Sequence, residues 1–140
     1  TDLVKKRGVI ELKEKGSDGK YDAGISLGDF SDILSEAYGL KVELKYADEK
    51  NSVEGFRDDL KKYLGEGKKF IVANFDGKMI GSKTGGHISP LVAFDEEGDS
   101  VLVLDVALHK SPWFWVGVED FYGAMNSLDG KRFRGWLIVE

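Results

Sequence analysis

Apolar residues along this chain follow two different rhythms. After Ser26, the residues Leu27, Phe30, Ile33, Leu34 and Ala37 recur at helical spacing and Gly39 follows, which predicts a helix capped at one end and stopped at the other. After Ser52 a second stripe, Val53, Phe56, Leu60, Tyr63 and Leu64, ends at Gly65. Between them Leu40, Val42, Leu44 and Tyr46 alternate with polar residues, the period of a half-buried strand. Residues 70–75 read as a buried strand, and residues 88–94 and 101–106 as two more, joined by the turn composition Glu96-Glu97-Gly98-Asp99. A short extended piece at 113–116 precedes a helix over 118–128, anchored by Phe121, Tyr122 and Met125, and Asp129-Gly130 turns the chain into a last strand at 133–139. Upstream, Thr1-Asp2 would cap a short helix carrying Leu3 and Val4, and the glycine-rich residues 11–22 read as a loop.

Helices lead and strands dominate the second half. Strands joined by a tight turn run antiparallel, so the expected class is α+β with an antiparallel sheet and flanking helices. No repeat, low-complexity stretch or linker divides the 140 residues, which are expected to form a single domain, or one lobe of a larger one.

The net charge of −5 argues against a broad nucleic-acid surface, and Lys5-Lys6-Arg7, Lys61-Lys62 and Lys131-Arg132 read as solvated faces. No apolar run approaches the roughly 20 residues that cross a bilayer, and residues 1–7 lack the apolar core of a secretory signal, so a cytoplasmic location is expected. The chain begins at Thr1 without an initiator methionine, which reads as a processed, trimmed or cloned piece. With no cysteine, disulfides and thiolate metal sites are excluded. His87, His109 and the acids do not converge on a metal site, and no cofactor is expected; the acidic turn at 95–99 lacks a calcium-loop pattern.

The chemistry concentrates at Thr84-Gly85-Gly86-His87-Ile88-Ser89-Pro90 and at Leu102-Val103-Leu104-Asp105-Val106. His87 opens one hairpin strand and Asp105 lies near the end of the next, so the two fall at the same end of the pair. A carboxylate inside a Leu/Val run is costly unless paired, and an imidazole N–H is a natural partner that fixes the tautomer and supports the imidazolium. Gly85 and Gly86 let the backbone approach a ligand. The plainer reading has His87 cap a strand and Asp105 satisfy a turn. Asn74 either starts a turn or lines the cleft near His87. Thr1 reads as a helix entry rather than an N-terminal nucleophile, His109 as a rim residue, and Trp113, Phe114, Trp115 and Trp136 as core packing.

In content and order, G-G-H-I-S-P-L-V-A-F, D-S-V-L-V-L-D-V-A, K-S-P-W-F-W-V and F-Y-G-A-M-N-S resemble the catalytic domain of phytochelatin synthases, most clearly over residues 70–139, with a weaker echo in Ala23-Gly24-Ile25-Ser26-Leu27. That resemblance implies a papain-like cysteine-protease fold with His87 as general base and Asp105 as the residue that orients it. It also implies a cysteine that attacks the Cys–Gly amide of glutathione, releases glycine and passes the γ-glutamylcysteinyl group to a second glutathione or to water. The nucleophile and oxyanion-hole residue of the family lie upstream on an N-terminal helical part, so the expected partners are that missing segment and glutathione or a γ-glutamyl peptide, and this chain alone is expected to be inert. Leu108 stands where family members often carry arginine, Pro112-Trp113 where they carry paired prolines, and the cysteine-rich metal-sensing tail of plant members is absent, so hydrolysis of glutathione, or of ordinary peptides, is as compatible as transfer. The alternative is a non-catalytic binding domain that kept the fold.

Overall fold

The computed structural model describes residues 25–65, 67–83, 85–105 and 112–140. The readings placed on residues 1–24, Thr84, Leu108 and His109 lie outside the described residues. Chain order is α1 (Leu27–Tyr38), β1 (Val42–Tyr46), α2 (Val53–Leu64), β2 (Phe70–Asp76), a 3-10 turn (Gly77–Ile80), β3 (Gly86–Asp95), β4 (Ser100–Val103), β5 (Phe114–Gly117), α3 (Val118–Met125), β6 (Leu128–Asp129), β7 (Arg132–Phe133) and β8 (Gly135–Val139).

The helix ends follow the capping chemistry of the sequence. Ser26 and Ser52 accept bonds from the backbone N–H groups of Asp29 and Gly55, and Gly39 closes α1 with φ +68°. Six strands form one sheet in the order β1-β8-β2-β3-β4-β5, every pair antiparallel, and β6 and β7 make a separate hairpin.

Strand alternation sends two sets of side chains to opposite faces. One face carries Ile71, Ala73, Phe75, Leu91, Val103, Trp136 and Ile138, and packs against Phe56 and Leu60 of α2 and Phe121, Ala124 and Met125 of α3. Full burial of each large side chain contributes about 2 kcal/mol, so this layer dominates the stability. The second face carries Leu137 and Val139 under Leu27, Phe30 and Leu34 of α1. Two residues fix how β8 sits between β1 and β2. Gly135 has no Cβ, which would overlap the Lys45 carbonyl oxygen. Trp136 donates from Nε1 to Asp59 Oδ2 at 2.9 Å, and Lys45 reaches the same carboxylate at 2.8 Å.

The structure corrects several sequence expectations. The final strand is broken in two at Arg134, whose N–H bonds Ser127 O and whose carbonyl accepts from Ala47 N, outside the sheet ladder. The helix expected over 118–128 stops at Met125, because Asn126 leaves helical geometry and its side chain bonds Ala47 O at 2.6 Å. β4 ends at Val103, with Leu104 and Asp105 of the expected strand outside it and residue 106 outside the described residues. Trp113 and Trp115 are not core residues but 58% and 53% exposed, since β5 is the sheet's edge and Trp115 points away from the face that α2 and α3 cover. Only Trp136 of the three tryptophans is buried.

Candidate active site

His87 is the second residue of β3, paired with Phe75 of β2, and the two rings meet edge to face at 5.9 Å. Phe75 is itself packed on Phe121 of α3, so the imidazole rests on a rigid aromatic shelf. Asp105 lies two residues past the end of β4. The Leu104 N–H still bonds Pro90 O at 2.9 Å, so the chain stays in line with β3 beyond the regular strand. This places Asp105 on the His87 side of the sheet, with His87 Nε2 and Asp105 Oδ1 2.8 Å apart.

The burial of the pair is unequal. The Asp105 side chain is 2% exposed and that of His87 17%. A carboxylate so enclosed needs a donor, and the ring N–H is one. A ring held through Nε2 presents Nδ1 as the nitrogen that can take a proton from a reacting group. The ring is thus held at one nitrogen by a buried carboxylate and is part-exposed elsewhere.

Before His87 the chain makes a closed loop. Asp76 caps the 3-10 turn by accepting from Lys78 N, Gly81 takes φ +80°, and Gly77 N bonds Gly85 O at 3.0 Å. Gly85 has open space around it. At Gly86 the Arg134 guanidinium fills the room a side chain would need, with Nη2 2.8 Å from the Cβ position.

Asn74 is buried within β2 and does not start a turn. Its register neighbours are Ile88 and Gly135, on the face opposite His87 and Phe75, and its amide donates to Asp129 Oδ2 at 3.1 Å. The structure therefore brings His87 and Asp105 together and places Asn74 in a second polar group behind Gly86. That group also holds Arg134, which is 7% exposed, bonds Ser127 Oγ at 3.2 Å and the Leu128 carbonyl, and lies 3.8 Å from Asp129. Its Nε has no hydrogen-bond partner among the described residues.

Arg134, Asp129 and Ser89 escaped the sequence reading. Arg134 carried a usable signal, a charge in the otherwise apolar stretch Phe133 to Val139, the same signal that marked Asp105. Ser89 carried none. Its side chain is completely buried on the His87 face and its hydroxyl has no partner among the described residues, an arrangement that costs about 1–3 kcal/mol. Among the described residues no cluster of three or more His, Asp or Glu side chains could hold a metal ion, and no helix is long and apolar enough to cross a membrane.

The family model for phytochelatin synthase matches residues 13–136. A glutathione gamma-glutamylcysteinyltransferase of Schizosaccharomyces pombe is 31% identical over 119 residues, which are 84% of this chain and 28% of that protein. Glutathione gamma-glutamylcysteinyltransferase 2 of Arabidopsis thaliana is 30% identical over 121 residues, 84% of this chain and 26% of its own. A third relative, from Triticum aestivum, is 28% identical over 108 residues. The chain thus spans between a fifth and three tenths of the length of these curated relatives.

Proposed function

Because this chain belongs to the phytochelatin synthase family, we propose that it is the base-bearing lobe of a papain-like thiol enzyme that breaks the Cys–Gly amide of glutathione. The observation that carries the reading is the 2.8 Å contact between His87 Nε2 and the buried Asp105 carboxylate. The sequence contains no cysteine, so the attacking sulfur comes from polypeptide outside these 140 residues.

His87 Nδ1 takes the thiol proton, and the thiolate attacks the glutathione carbonyl to give a tetrahedral oxyanion. The imidazolium then gives its proton to the departing glycine amine, leaving a γ-glutamylcysteinyl thioester. A second glutathione or water, deprotonated by the same ring, resolves that thioester. Asp105 stabilises the imidazolium in both halves and holds the ring in one orientation throughout.

The polar group behind Gly86 supports the site from the other face of the sheet: the Arg134 guanidinium, anchored by Ser127 Oγ and the Leu128 carbonyl, fills the space beside Gly86 and so braces the residue that precedes His87.

The test is reconstitution. The 140 residues alone should release no glycine from glutathione, and the same residues joined to the segment that precedes them in their gene should do so. Comparing glutathione with ordinary dipeptides in that assay separates this activity from general peptidase action. Lack of a cysteine favours a second reading, a binding domain without catalysis, and absence of glycine release from the longer protein would select it.

A further inference from the structure

The geometry points to Ser89 as a positioning residue for the His87–Asp105 pair, an inference that rests on the reading of that pair as the catalytic base. Ser89 follows His87 by two positions on β3, so both side chains project to the same face. In β2 its partner is Ala73. On the other side the pair Leu91–Val103 and the bond from Leu104 N to Pro90 O carry the β3–β4 register onward. The next residues in that register are Ser89 and Asp105. Side chains directly opposed in this way have Cβ atoms about 4.5–5.5 Å apart.

Everything else around Ser89 in this layer is apolar: Ala73, Phe75, Leu91 and Val103 are all fully or almost fully buried. An alanine would fill the position without burying a hydroxyl that lacks a partner among the described residues. Packing therefore does not account for serine here. A hydroxyl turns between staggered positions without moving the backbone, and one such step aims its O–H across to the carboxylate. Ser89 then restrains the carboxylate from swinging, so that Oδ1 stays on His87 Nε2 while the ring accepts and returns its proton.

Proton NMR of the ¹⁵N-labelled protein reads this through the ring Nε2–H proton of His87, whose exchange with water is slowed by the bond to Asp105. Ser89→Ala should speed that exchange about fivefold, the factor one net hydrogen bond supplies. Ser89→Thr, which keeps the hydroxyl, should hold the wild-type rate. Unchanged exchange in Ser89→Ala overturns the inference, as does equal acceleration in Ser89→Thr. If the wild-type protein has no protected ring N–H, the pairing of His87 with Asp105 falls and the role of Ser89 with it.

Discussion

The guanidinium of Arg134 occupies the space beside Gly86 that any other residue's Cβ would take, with Nη2 2.8 Å from that point. The residue immediately before the histidine is thus fixed by the side chain of the residue that leads into β8. Arg134 has little room to yield, since Ser127 Oγ and the Leu128 carbonyl anchor its other amino group. Gly86→Ala is expected to cost about 1–3 kcal/mol by overpacking, read as a lowered melting temperature. Joined to a cysteine-bearing segment that restores glycine release, it should lower that release by more than the stability loss accounts for. Unaltered stability and activity would show that Arg134 does not brace this position.

Arg134 provides the second prediction. Arg134→Gln removes the bonds to Ser127 Oγ and the Leu128 carbonyl and empties the space beside Gly86. It should cost about 1–3 kcal/mol, read as a lowered melting temperature. An unchanged melting temperature would show that the guanidinium does not hold this part of the fold.

Asp59 is the hub of the buried polar contacts under β8, taking Lys45 Nζ at 2.8 Å and Trp136 Nε1 at 2.9 Å. Asp59→Ala leaves the buried Trp136 N–H without its acceptor and Lys45 with only Glu43, at 3.5 Å, among the described residues. The expected loss is about 2–4 kcal/mol, visible in urea unfolding. A change below about 0.5 kcal/mol, the range of neutral surface substitutions, would mean that the rest of the helix α2 interface carries this region.

Asp99, in the turn between β3 and β4, is bound by Arg57 at 2.7 and 2.8 Å. The Arg57 bond holds the Asp99 carboxyl below its ordinary value despite the opposing effect of burial. A depressed native value gives stability that is complete above the unfolded carboxyl range, about pH 4, and is lost as the pH falls through the native value. Asp99→Asn keeps a side chain tolerant of the φ of +43° at this position. The melting temperatures of wild type and variant should differ near neutrality and converge on acidification below about pH 4. A gap that widens in acid would contradict the assignment.

The sequence made much of this legible where one local rule acted alone. Ser26, Ser52 and Gly39 mark helix ends because capping chemistry is local, and the stripes of α1 and α2 were readable from spacing. His87 and Asp105 were readable as neighbours because the turn between their strands fixes which ends meet. Asn74 was placed near the cleft without its face, and only the register shows it behind the sheet from His87. The break at Arg134 arises from Ser127 and Ala47, residues distant in the chain or outside any periodic pattern. Trp113 and Trp115 misled because aromatic character says core, whereas their exposure comes from lying at the sheet's edge, a property of strand order that one strand cannot encode.

The central claim is that His87, steadied by Asp105, moves the protons of glutathione cleavage. The most direct measurement is the rate of glycine release from glutathione by the longer protein containing these residues, compared between wild type and His87→Ala with folding confirmed for both. Loss of the proton-transfer group predicts a fall of about 10²–10⁴-fold. A His87→Ala protein that releases glycine within about threefold of the wild-type rate, far inside that range, would contradict the account.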